Sequence, residues 1–326
     1  MNLNWYKKEN ISLKILILFF LNSLSSQDFD LFKKEIFISE KDTLNYRILK
    51  PHNYDPKKSY PLHLFLHGAG ERGNDNELQL THGAKLFLNK KNRERYKSWV
   101  IFPQSPKNDW WGGYYEPYKY DYQVKNSDAL GLVIRLMDNF VNRKDVNKDK
   151  VYVSGLSMGG MTALGLGILH GSRFKSLTAS NCVATFSDQA RQVWKDRVTT
   201  VVSGGLAPIL DATMERWFTK DFIDNNQAEV DGIRDMVSAT EISGYIACCG
   251  ALERLNYLSD LASINVPTLL IGGRYDVGTP PVEMRKMKTL ISGSRYEELA
   301  TAHVSNIEAY QDYNELLLAF FDSVNT

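Results

Sequence analysis

The 326-residue sequence predicts an α/β fold: a mostly parallel central sheet with helices on both faces and a helical lid inserted late in the chain. Two observations carry this prediction. Short runs that are apolar without alternation recur along the chain, the pattern of strands buried on both faces. Between two of these runs, residues 129–141 place apolar side chains at helical spacing, so strand and helix alternate.

Taken in order, Glu35-Ile36-Phe37-Ile38 and Leu44-Asn45-Tyr46-Arg47-Ile48-Leu49 read as an opening antiparallel hairpin. Leu62-His63-Leu64-Phe65-Leu66 reads as a central strand running into His67-Gly68-Ala69-Gly70. Val100-Ile101-Phe102 and Val151-Tyr152-Val153 repeat the pattern, and residues 176–180 add a further strand. Residues 161–169 are expected as a helix. Residues 187–250 break the alternation, with candidate helices at 190–194, 212–218 and 231–237; an all-helical insertion of this kind is expected over the C-terminal edge of the sheet. Thr268-Leu269-Leu270-Ile271 and Arg295-Tyr296-Glu297-Glu298-Leu299 supply late strands, and residues 306–320 a closing helix. The expected organisation is a core in two parts, residues 27–186 and 251–326, interrupted by a lid at 187–250.

Basic and acidic residues number 39 and 38, a formal net charge of +1, which favours neither nucleic acid nor an anionic membrane surface. A small molecule is the expected partner; the composition leaves the oligomeric state open. At the start of the chain, Lys7, Lys8 and Lys14 precede an apolar run at 15–21 and then Asn22-Ser23-Leu24-Ser25-Ser26. That order predicts a signal peptide over residues 1–26 and a secreted or periplasmic protein. The apolar run is too short for the roughly 20 residues of a membrane-spanning helix, so no stable anchor is expected. Cys182, Cys248 and Cys249 lack metal-ligand spacing with histidines and imply no disulfide framework; they are expected as buried small apolar residues. No metal or cofactor is expected.

Gly155-Leu156-Ser157-Met158-Gly159 follows a strand and precedes a helix, the context in which a sharp turn exposes a nucleophilic serine between small residues. A serine hydroxyl needs a base, and in this arrangement acid and histidine follow the serine in the chain. His170 sits at a helix end leading away from Ser157, which leaves His303, just after the last strand, as the base. Asp276, on the loop after residues 268–271, is the candidate acid; the alternative site after residues 176–180 holds Asn181, which carries no charge. The oxyanion donors are expected to be the backbone N–H groups of Met158, at the helix start, and Ala69, with Gly70 next. His67 is expected to support its loop rather than act as a base. Trp110 and Trp111, with Tyr114, Tyr115, Tyr118, Tyr120 and Tyr122, are candidates for an aromatic substrate wall or, equally, for an aromatic-rich loop that only covers the core; Trp217 on the lid is a further candidate for binding substrate. Glu71 and Arg72 are expected as an exposed ion pair.

Leu66-His67-Gly68-Ala69-Gly70-Glu71-Arg72-Gly73-Asn74-Asp75 and Ser154-Gly155-Leu156-Ser157-Met158-Gly159-Gly160 resemble secreted esterases described as predicted peptidases or phospholipase/carboxylesterase-like hydrolases. From residue 161 onward the chain is similar to 3-oxoadipate enol-lactonase, on Arg173-Phe174-Lys175-Ser176-Leu177, Glu215-Arg216-Trp217-Phe218, Val266-Pro267-Thr268-Leu269, Thr279-Pro280-Pro281 and His303-Val304-Ser305-Asn306. Both likenesses imply the α/β-hydrolase fold, and their changeover near Gly160 reads as a hybrid. The resemblance implies a serine hydrolase of carboxylic esters. The alternatives are a lactonase acting on an enol-lactone, or a folded but inactive hybrid.

Overall fold

The computed structural model describes residues 29–39, 42–111 and 128–325. The signal peptide expected at 1–26 and the tyrosines at 114–122 therefore lie outside the described residues. Eight strands form one sheet: β1 (Phe32–Ser39), β2 (Asp42–Leu49), β3 (Tyr60–Leu66), β4 (Trp99–Pro103), β5 (Val146–Leu156), β6 (Ser176–Ser180), β7 (Thr268–Gly273) and β8 (Arg295–Leu299). Their order is β1-β2-β4-β3-β5-β6-β7-β8, with β2 antiparallel to both neighbours and the other pairs parallel.

The continuous apolar runs are explained by cover on both faces. On β3, Leu62, Leu64 and Leu66 join Val133 and Leu136 of α1 (Ala129–Val141) and Leu164 of α2 (Met158–His170). Phe65 points the other way, stacked on Phe102 with ring centroids 4.8 Å apart. His63 shares that second face, and burial pushes its imidazole down to about 3, so it packs as a neutral ring bonded to Ser154 Oγ at 3.0 Å.

Between β6 and β7 the chain rises into a helical cap: α3 (Asp188–Gly204), α4 (Leu210–Trp217), α5 (Lys220–Asn225), α6 (Gln227–Ser238) and α7 (Ile242–Arg254). The three helices expected there correspond to α3, α4 and α6, and α5 and α7 are additional. The two ends of the cap meet at a neck, where Thr185 and Asn256 form an antiparallel bridge. Arg191 ties that neck together, donating to the carbonyls of Phe186, Glu253 and Leu255. Beneath the cap, Met214, Phe218, Val230, Ile233 and Val237 pack on Leu156 and Val304, which adjoin Ser157 and His303 in sequence. The cap is thus cemented to the part of the core that carries the candidate site.

After β7 come α8 (Pro281–Leu290), β8 and then α9 (Ser305–Glu308) and α10 (Tyr310–Asn325). The expected single closing helix is interrupted at Ala309, whose φ of −126° and ψ of 54° leave the helical region. Side chains of α10, including Tyr313, Leu317 and Phe321, cover Leu269 and Ile271 of β7. The three cysteines are buried and unpaired. Among the described residues no helix is long and apolar enough to cross a membrane.

Candidate active site

Strand β5 ends at Leu156 and α2 begins at Met158, so Ser157 alone makes the turn, at φ 55° and ψ −121°. An L-residue at positive φ is strained, and such strain persists only where the surroundings impose it. The surroundings here are glycines. A Cβ on Gly155 would lie 2.0 Å from the Gly159 carbonyl oxygen, and one on Gly159 would lie 2.1 Å from that of Leu66. The turn is held across the sheet by Ser157 N–H, which donates to Ser180 O at 2.9 Å.

His303 brings Nε2 to 2.9 Å from Ser157 Oγ and Nδ1 to 2.8 Å from Asp276 Oδ2. Asp276 is buried, and its second oxygen accepts from the N–H groups of Gly278 and Thr279, both at 2.9 Å. Thr279 Oγ1 adds a bond of 2.5 Å to Oδ2, and Asn181 Nδ2 one of 3.3 Å. Burial alone would raise the Asp276 carboxyl; the His303 imidazole and the Thr279 bonds outweigh it and hold the group at about 2. Asn181, the residue at the alternative acid position, therefore donates to the candidate acid. That role leaves no signal in the sequence beyond its position after β6.

The loop after β3 passes directly beside the serine: a Cβ on Gly68 would lie 3.5 Å from Ser157 Cβ. Neither Ala69 N–H nor Met158 N–H donates to a backbone acceptor among the described residues, and both residues line the cleft. His67 is fully buried; its Nε2 accepts from Ser105 N–H at 3.0 Å, so Nδ1 carries the proton and donates to Gly68 O at 2.6 Å. It supports the loop, as expected.

Two expectations are corrected. Glu71 and Arg72 are not an exposed pair: both are buried, Glu71 against His82 Nε2 at 2.5 Å, and Arg72 Nε on Ala69 O at 2.7 Å. Burial would raise the Glu71 carboxyl, but the imidazoles of His82 and His67 hold it far below the usual carboxylate range. Trp110 and Trp111 pack into the main core rather than the cleft, with Trp111 Nε1 donating to His67 O at 3.0 Å. Trp217 does reach the cleft, its ring 6.3 Å from that of His303.

The cleft is about 730 Å³, with Ser157, His303 and Ala69 as its floor and the cap as its roof. The roof holds groups the sequence did not single out. Arg197 donates from Nε to Tyr245 OH at 2.8 Å and from a terminal nitrogen to Thr213 Oγ1 at 2.7 Å. Arg216 lies over the Trp194 ring at 5.3 Å. Burial and the neighbouring Arg197 depress the Arg216 guanidinium. Among the described residues no cluster of His, Cys, Asp and Glu has the arrangement to hold a metal.

Sheet order, elbow and Ser-His-Asp geometry together define an α/β-hydrolase. The chain belongs to the Esterase family, described as "Putative esterase", whose model matches residues 39–238 and so runs across the changeover expected near Gly160. Two relatives from Acinetobacter baylyi are similar to it. One is 3-oxoadipate enol-lactonase 1, 32% identical over 55% of this chain and 66% of its own length. The other is 3-oxoadipate enol-lactonase 2, 31% identical over 61% of this chain and 72% of its own. The chain thus spans about two thirds of the length of these relatives. The solved structure of the enol-lactonase from Burkholderia xenovorans LB400 shares the fold, with a TM-score of 0.69 and 24% identity over 88% of this chain and 100% of that one.

Proposed function

We propose that the protein hydrolyses carboxylic esters through an acyl-enzyme on Ser157. The single observation that carries this reading is the hydrogen-bonded chain from Ser157 Oγ through His303 to Asp276, at 2.9 and 2.8 Å. Ser157 Oγ attacks the ester carbonyl as His303 Nε2 takes its proton. Asp276 keeps the imidazole in the Nδ1–H tautomer and stabilises the imidazolium. The N–H groups of Ala69 and Met158 receive the oxyanion. His303 then returns the proton to the departing alcohol, and water, activated by the same base, releases the acid. Ser157→Ala is expected to lower turnover of a short aryl ester by more than about 10³-fold with the fold intact. Wild-type-like turnover in that variant would overturn the assignment.

A second reading, an ester or lactone that itself bears a carboxylate, is favoured by Arg197 and Arg216. Two guanidiniums line the roof, and among the described residues neither is paired with a carboxylate. A buried cation calls for an anionic partner, and a planar fork suits a carboxylate. The names of the Acinetobacter relatives point the same way, since an oxoadipate enol-lactone retains an acid group. Turnover of an enol-lactone acid set against a neutral ester of equal size separates the readings. Export is also inferred, from the leader at residues 1–26; a mature protein from the native host that still begins at Met1 would refute it.

A further inference from the structure

The oxyanion loop is restrained in an unusual way. The carbonyls of three consecutive residues each accept from a side chain: His67 O from Trp111 Nε1 at 3.0 Å, Gly68 O from His67 Nδ1 at 2.6 Å, and Ala69 O from Arg72 Nε at 2.7 Å. With the carbonyls drawn to these donors, the orientation of the intervening N–H groups is set by side chains rather than by secondary structure. Behind the middle of the three lies Glu71. Its Oε1 is held by His82 Nε2 at 2.5 Å, and its Oε2 stands 3.7 Å from His67 Nδ1 with no hydrogen-bond partner of its own. A Cβ on Gly68 would lie 3.3 Å from Glu71 Oε2 and 3.5 Å from Ser157 Cβ. The space that Gly68 leaves empty therefore adjoins both the buried carboxylate and the nucleophile.

Glu71 does not meet substrate, because its carboxylate is only 3% exposed and does not line the cleft. Nor does stability alone account for it, since an apolar pair of similar volume commonly serves as well as a buried ion pair. What an apolar pair lacks is charge: the Ser105 N–H on Nε2 already leaves the His67 proton on Nδ1, and a carboxylate 3.7 Å from that nitrogen attracts this side of the ring, which donates to Gly68 O. We propose that Glu71, clamped by His82, is a positioning residue for the oxyanion loop, fixing through His67 and Gly68 the angle at which Ala69 N–H meets the developing oxyanion. The inference rests on the proposed acyl-enzyme reading.

The test compares Glu71→Gln, His82→Ala and His82→Gln, each confirmed as folded by its melting curve. Glu71→Gln and His82→Ala are expected to lower kcat on an aryl ester by about 10- to 100-fold with KM little changed, the scale of a misplaced reacting group. Affinity for an aryl trifluoromethyl ketone, which forms a tetrahedral oxyanion on the serine, should fall by the same factor. His82→Gln, which retains a donor toward Glu71, should recover most of the loss. If Glu71→Gln does not fold, His82→Ala carries the same test with the carboxylate in place. Folded variants with wild-type kcat, or a kcat loss without loss of ketone affinity, overturn the proposal. Labelling of the wild type at Ser157 by a fluorophosphonate separates the two levels: without labelling the acyl-enzyme reading fails, and with it only the role of Glu71 is at stake.

Discussion

The floor and the roof of the cleft are built from different materials. The floor is chiefly backbone: Ser157, Asp276 and His303 stand on turns at strand ends, fixed by glycines that cannot accept a Cβ and by main-chain hydrogen bonds. The roof is side chains: Trp194, Arg197, Arg216 and Tyr245 project from helices whose own backbones bond internally. A substitution in the floor disturbs the positions of several groups at once, whereas one in the roof alters a single contact. Chemistry set in the main chain can thus persist while the ligand it serves is exchanged, residue by residue, above it.

The sharpest way to break the floor is Gly159→Ala, whose Cβ would meet the carbonyl oxygens of Leu66 at 2.1 Å and His67 at 2.6 Å. Both belong to the strand and loop that present the oxyanion donor. Loss of soluble protein, or of fluorophosphonate labelling by the soluble fraction, is expected; full labelling would show that the turn tolerates the shift. Next in size, Asp276→Asn leaves the shape intact but permits the wrong imidazole tautomer, and kcat should fall by about 10³- to 10⁴-fold with KM nearly constant. The same variant has a pH signature. The Asp276 carboxyl is depressed from 3.8 to about 2, so its contribution to stability is present above 3.8 and is lost as pH falls through 3.8 toward 2. Acid unfolding curves should therefore be less steep in Asp276→Asn, though Asp145, also held at about 2, retains part of the slope.

In the roof the expected effects are smaller and selective. Arg216→Ala should reduce kcat/KM for an acid-bearing substrate by roughly 30-fold, the equivalent of about 2 kcal/mol for one charged hydrogen-bonded contact. A neutral ester should be nearly indifferent; equal losses on both would place Arg216 in the architecture instead. Smallest of all is Glu308→Gln, which weakens bonds to Thr219 and Ala302 where the cap meets the loop of the base. A loss of about 1 kcal/mol and a Tm decrease of about 3 °C are expected by calorimetry, without change in substrate preference.

This division also decides what could be read from the sequence. Ser157 and Asp276 were legible because each closely follows an apolar strand, and His303 because it follows the last strand and is one of two histidines after Ser157; a strand end fixes direction without knowledge of distant packing. The helical cap was legible as a class, but its inward face was not. Arg197 and Arg216 lie on different helices, and helical spacing says nothing about how two helices cross. Glu71 was misplaced for a related reason: glutamate is seldom fully buried, and its burial depends on His82, which arrives on a separate turn. Trp110 and Trp111 show that composition alone cannot tell a wall of the core from a wall of the cleft.

The end of α4 carries a final consequence. Trp217 O accepts from the N–H groups of both His303 and Val304, at 3.0 and 3.1 Å, so one carbonyl of the cap holds the backbone of the base. Cap and base loop therefore form a single structural unit, even though two core strands and a helix, β7, α8 and β8, separate them in the chain. A cap transplanted from a related enzyme would have to bring residues 301–308 with it, or find a recipient whose loop accepts the same suture.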